Sequence, residues 1–193
     1  MDGDNHLRQI STKQAIAGIQ QGNSKLEVMR LPVVGSSMAP MLREGDILLV
    51  NLILPDMLTC GDIIVRGNHE LITHRMLVAR SNLIITKGDT RYWIDPLVSR
   101  DNIWGIVKQV NRNGLIANME SSRWKVINRL IGLSGWIQVY LAWPEQIAGK
   151  SRDRNIGWHR IIYWFSKKIN WVILFLFAGN WIFQKTLRMD EKC

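Results

Sequence analysis

The sequence predicts a mainly β fold: an antiparallel β domain, led by a short N-terminal helix and followed by a helical C-terminal part. Two observations carry this. Between Lys25 and about Asn118, short runs rich in Val, Ile and Leu alternate with Gly, Asn and Asp turns at the spacing of short strands. From Ser121 onward the apolar period becomes helical. Three segments follow: a helical lead over 1–24, a β domain over 25–120 and a basic, Trp-rich helical region over 121–193.

In chain order, Ser11 and Gln14 have capping-box spacing and Gly22-Asn23 reads as a stop, which predicts a helix over about 12–21. The strand runs are LEVMRLPVV, DILLVNLIL, DIIVRG, ELITHRMLVA, NLIITKG, NIWGIVKQV and GLIAN. Gly45-Asp46, Gly61-Asp62, Gly67-Asn68, Ser81-Asn82 and Gly88-Asp89 punctuate them, and Asn113-Gly114 between two runs is a hairpin signal. Over 124–143, Asn128, Arg129, Gly132, Gly135 and Gln138 gather on one side of a helical wheel. Apolar residues such as Trp124, Ile127, Ile131, Trp136 and Tyr140 cover much of the rest, an amphipathic helix with a very wide apolar face. Pro144 is expected to end it. Residues 149–157 read as a charged linker before WHRIIYWFSKK and INWVILFLFAGNWIF.

The chain has 193 residues, enough for one core with an appendage. Its charge of +9 is uneven: residues 1–125 hold 15 Lys+Arg against 12 Asp+Glu, and 126–193 hold 10 against 4. The second stretch also holds six of the nine tryptophans. Cations beside Trp suit an anionic membrane surface, so membrane lipids are expected as partners and nucleic acid is not. Only two cysteines are present, Cys60 and Cys193, which excludes a disulfide framework. Cys60, His69 and His74 fit no zinc spacing, and neither metal nor cofactor is expected. Met1 to Asn23 is polar and lacks the apolar run of a signal peptide.

Candidate chemistry lies in the β region. In Gly35-Ser36-Ser37-Met38-Ala39-Pro40, a serine sits between a strand and a Pro-marked bend, the fixed setting that a nucleophile needs. His74 lies within ELITHRMLVA, where strand alternation puts it on the side of Ile72, Met76 and Val78. A half-buried imidazole there stays neutral and can act as a base. Thr86-Lys87-Gly88-Asp89, followed by Asp95, supplies carboxylates that could orient a histidine. Each piece alone is also ordinary turn or core chemistry.

Together these pieces resemble the type I signal peptidase family. GSSMAPML is similar to its Gly-x-Ser-Met-x-Pro-Thr-Leu box, and GDILLV and GDIIV to the strands that follow. THRM resembles the His-Arg box of the endoplasmic-reticulum-like branch, TKGDTRYWID the Lys-Gly-Asp-Asn box with its trailing Asp, and IWGIV the closing strand. The resemblance covers about residues 28–110. It implies a serine endopeptidase that cleaves leader or signal peptides from precursor polypeptides, with Ser37 as nucleophile and His74 as general base. By the same resemblance Asp95, favoured over Asp89, orients His74. The Ser37 N–H, aided by the Ser36 side chain, holds the oxyanion. The chain departs from the pattern at Met41 (Thr in the family), at Thr90 (Asn) and at Gly35 (Ser in some members), and residues 1–23 lack the family's membrane anchor.

Residues 169–183 form a mostly apolar stretch broken by Asn170 and Asn180. At 1.5 Å per residue it spans about 22 Å, against the roughly 30 Å of a hydrocarbon layer. Extension to about residue 187 with snorkelling cations would let it span. A surface-lying helix pair and a helix buried on the β domain are the other readings. Two further functions share the fold: a non-catalytic membrane adaptor, and a cytosolic self-cleaving regulator, which His74 in place of a lysine disfavours. The oligomeric state is not indicated.

Overall fold

A computed structural model describes residues 28–52, 58–67, 70–91, 93–147 and 157–178. The helix expected over 12–21 lies outside them, as does most of the linker before Gly157.

The β domain is a single curled antiparallel sheet of eight strands. They are β1 (Val28–Pro32), β2 (Ile47–Asn51), β3 (Ile63–Arg66), β4 (Ile72–Arg80), β5 (Leu83–Lys87), β6 (Val98–Ser99), β7 (Ile103–Arg112) and β8 (Leu115–Asn118). The order is β1-β2-β7-β3-β4-β5-β6. The long β7 holds the sheet together. One edge pairs with β2, while the other takes β3 over Ile103–Ile106 and β8 over Gln109–Arg112. Each strand run in the sequence becomes a strand, and Asn113 (φ 51°) and Gly114 (φ 87°) make the β7–β8 turn. The two-residue β6 has too little pattern to be seen in the sequence.

The two faces of the sheet bury different clusters. Ile64, Met76, Ile84, Val98 and Ile103 form the smaller one. The larger gathers Leu48, Val50, Val65 and Val110 with Met38, Met41 and Leu42 of the loop after β1. Helix α1 (Ser122–Ile147) and helix α2 (Gly157–Ala178) close it through Trp124, Ile127, Ile131, Leu174 and Ala178. Sheet and helices therefore share one core.

Helix α1 corrects two expectations. It runs three residues beyond Pro144, which removes a single backbone donor, the one that would meet the carbonyl of the exposed Tyr140 near the helix end. Its polar side also faces inward: Asn128, Gly132, Gly135 and Gln138 are buried, and of that group only Arg129 is exposed. The small residues permit close approach. A Cβ on Gly61 would lie 2.3 Å from the Asn128 carbonyl oxygen, and one on Gly132 would lie 2.9 Å from the Gly61 Cα. Leu133, Trp136, Ile137 and Tyr140 point outward instead. Helix α2 runs antiparallel to α1: Ser134 Oγ lies 2.6 Å from Asn170 Oδ1, and Arg123 Nε donates to the Phe177 carbonyl. Among the described residues no helix is long and apolar enough to cross a membrane. Residues 179–187 of the candidate span lie outside them.

Candidate active site

The loop after β1 is fixed from below. Met38, Met41 and Leu42 are buried, so the departure at Met41 is a core contact. The fully buried Arg112 grips Asp46 through two hydrogen bonds of 2.8 and 2.6 Å and donates to the Met41 carbonyl at 3.0 Å. From the other side, Thr90 N–H donates to the Ser37 carbonyl at 2.8 Å and Thr90 Oγ1 to the Ser36 carbonyl at 3.0 Å. Ser37 is thus half-buried on a loop tied at both ends, the arrangement expected of a side chain whose position matters.

Strand β4 brings His74 to this loop. Arg75 pairs with Lys87 and Met76 with Thr86, so His74 stands opposite Gly88 at the end of β5. His74 Nε2 lies 3.0 Å from Ser37 Oγ. Its Nδ1 lies 2.6 Å from Asp95 Oδ2. Asp95 lies beside β5, upstream of β6, with its N–H donating to the Thr86 carbonyl at 2.9 Å. The same Oδ2 accepts from Thr86 Oγ1 at 2.6 Å and pairs with Arg66 Nη2 at 3.0 Å. Burial pushes the Asp95 carboxyl up, but the hydrogen bond and charge of His74, the Thr86 hydroxyl and Arg66 outweigh it and hold the group below the usual carboxylate range. An ionised carboxylate has no proton to give, so the Nδ1 between them carries one. In that tautomer Nε2 is the acceptor for the Ser37 hydroxyl.

Asp89, the other carboxylate singled out in the sequence, faces away from His74. Arg75 holds both its oxygens at 2.8 Å and also donates to the Gly61 carbonyl at 2.8 Å and to Asn128 Oδ1 at 2.9 Å. That buried pair braces the Gly61 turn, the Gly88 turn and α1 against one another. The Ser37 N–H has no acceptor among the described residues, which leaves it available to an oxyanion. Ser36 is exposed, with its carbonyl taken by Thr90 Oγ1 and Ala39 N–H. The Gly61-Asp62 turn is structural: Asp62 accepts from Thr59 N–H at 2.8 Å.

Arg66 contributes to this arrangement without a signal of its own in the sequence, while Thr86 and Thr90 stood within the quoted box with no role assigned to their side chains. Thr86 sat inside the Lys-Gly-Asp run, and alternation placing it opposite Met76 could have flagged it. A groove of about 750 Å³ opens over Ser37 and His74, walled by Leu31, Val33, Leu71, Thr73, Trp93 and Ile94 among others. Its mixed polar and apolar walls and the hydroxyl–imidazole–carboxylate line within it suit acyl transfer on an extended chain. Among the described residues no cluster of metal-ligating side chains occurs. Comparison of the chain with protein-family models, with curated proteins and with solved structures finds no match.

Proposed function

We propose that this chain is a serine endopeptidase of the type I signal peptidase kind, cleaving leader or signal peptides from precursor polypeptides. One observation carries the reading: Ser37 Oγ, His74 and Asp95 Oδ2 form an unbroken line of 3.0 and 2.6 Å contacts within a groove large enough for several residues of substrate. The order of the five sequence boxes supports the same conclusion.

In this reading Ser37 Oγ attacks the scissile carbonyl carbon while its proton passes to His74 Nε2. The imidazolium that forms is stabilised by Asp95, already ionised and anchored by Thr86 and Arg66. The tetrahedral oxyanion takes the Ser37 N–H, a contact worth about 3 kcal/mol of barrier. Collapse breaks the C–N bond, and His74 returns its proton to the departing amine. Water, deprotonated by the same nitrogen, then hydrolyses the acyl ester and restores Ser37.

The test is cleavage of secretory precursors and small precursor peptides by the full chain in membranes, beside Ser37→Ala and His74→Ala. Both variants are expected to be folded and inactive. Substantial cleavage by Ser37→Ala overturns the assignment, and a folded wild type that cleaves nothing and resists serine-directed covalent probes points to the adaptor instead.

A further inference from the structure

The two C-terminal helices carry large apolar side chains on both sides, the packed side including Trp124, Ile127, Ile131 and Leu174. On α1, the face packed against the sheet and α2 includes the polar Asn128 and Gln138, and on α2 the packed Asn170 bonds to Ser134. Their outward stripes are apolar as well. After its first two turns, α1 presents Leu133, Trp136, Ile137 and Tyr140, the last with 74% of its surface exposed. Helix α2 presents Phe165, Ile169, Val172, Phe175 and Leu176, at 48 to 66%. A helix face left in water is normally polar.

Charge identifies what covers these stripes. The exposed charged side chains described on the two helices are Arg123, Lys125 and Arg129 at the start of α1 and Lys168 on α2, all cationic. No acidic residue occurs over 122–140 or 157–178, and the one acid within the bounds of either helix is Glu145, in the last turn of α1. Lys168 Nζ lies 5.4 Å from the Trp164 ring centroid, an aromatic–cation pair suited to the headgroup level of a bilayer. A second copy of the chain seated on this face would set cations against cations, whereas an anionic bilayer supplies both the apolar layer and the counter-charge.

We infer that α1 and α2 form an in-plane membrane anchor, their outward stripes sunk to the headgroup–acyl boundary of an anionic bilayer without crossing it. Over the described residues neither helix is apolar and long enough to span. This inference stands apart from the peptidase reading, because it concerns a surface that shares no residue with the Ser37 groove.

The experiment is flotation of the full chain with vesicles of phosphatidylcholine alone and of phosphatidylcholine with phosphatidylserine, followed by light scattering of the unbound protein. Tight binding to the anionic vesicles is expected, with Trp emission shifted to the blue, and at least tenfold weaker binding to the neutral ones. Ile137→Gln with Leu176→Gln, at exposed positions, should weaken anionic binding tenfold or more while leaving far-UV circular dichroism unchanged. Lys168→Glu, a milder change, should weaken it severalfold and only on anionic vesicles. Failure to float, dimers that the Gln substitutions dissolve, or binding indifferent to all three substitutions would overturn the anchor.

Discussion

Gly88 and His74 share one small space. A Cβ added to Gly88 would stand 3.0 Å from His74 Nε2 and 2.9 Å from the Ser37 carbonyl oxygen. The missing side chain is therefore what lets the imidazole approach the serine. Cβ contacts that short are rarely tolerated, and the nearest neighbour, Arg91 Cγ at 2.8 Å, sits close to its own backbone rather than at the free end of its side chain.

Gly88→Ala should consequently push the imidazole or the Ser37 loop out of line. Overpacking of this sort costs about 1–3 kcal/mol, so a modest fall in unfolding midpoint is expected. The larger effect is on cleavage: kcat/KM should fall at least tenfold, with KM little changed, because the fault lies in the reacting geometry. Unaltered steady-state kinetics in a folded Gly88→Ala protein would refute the arrangement.

Asp95→Asn separates orientation from simple contact. The amide keeps the shape but loses the charge that holds Nδ1–H, so kcat should drop about 10²- to 10⁴-fold. A pH signature accompanies it. The folded carboxyl sits below its ordinary value of 3.8, so its stabilisation is present above that pH and is lost as pH falls through the lower folded value. Urea unfolding between about pH 2 and 5 should show a steeper acid loss for wild type than for Asp95→Asn. Superimposable acid limbs would count against the Asp95 contacts.

Asp89→Asn should do the opposite. The Arg75–Asp89 pair is buried at both ends, with side chains 1% and 5% exposed. Removing one charge strands the other, a cost of about 3–5 kcal/mol. Folded yield and unfolding midpoint should fall sharply, while activity per folded molecule stays within a few-fold of wild type. Active-site titration with a serine-directed probe supplies that denominator. A stable Asp89→Asn protein with lost activity would return Asp89 to the chemistry.

Much of this was legible in the sequence because local signals agreed. Alternation and Gly-Asp turns marked the strands, and Asn113-Gly114 fixed one hairpin through a backbone conformation that few residue pairs adopt. Ser37 and His74 were legible through box order. The resemblance favoured Asp95 over Asp89 and Asp95 is the carboxylate on His74, but local signals alone did not separate them, since six residues apart on a turn either could reach β4, and the answer depends on Arg75 facing away from His74 on the same strand. Arg66 escaped notice because its partner is 29 positions along the chain and unpaired with it in any ladder. Helix α1 misled for a different reason. A wheel sorts residues by type, but Gly132 and Asn128 are inside for their size and their bond to Arg75, which only the docked helix reveals.

Lys87 gives the last prediction. It is 3% exposed beneath α1, and Nζ makes one long contact of 3.4 Å with the Gly88 carbonyl. Burial lowers its pKa from 10.5 to about 8, against the pull of Asp89 and Asp95, and Arg75 adds to the lowering. Between those two values the unfolded chain keeps a proton that the folded chain has released. Stability therefore rises with pH across that window and levels off once both states are neutral. The gain is on the order of 3 kcal/mol, and Lys87→Met should lack it. Comparing urea unfolding of the two proteins from pH 7 to 10.5 cancels the groups they share, such as Cys60 and the tyrosines. The wild type should close on, or overtake, the variant as pH rises, and parallel curves would mean that Lys87 releases its proton no more readily than an exposed lysine.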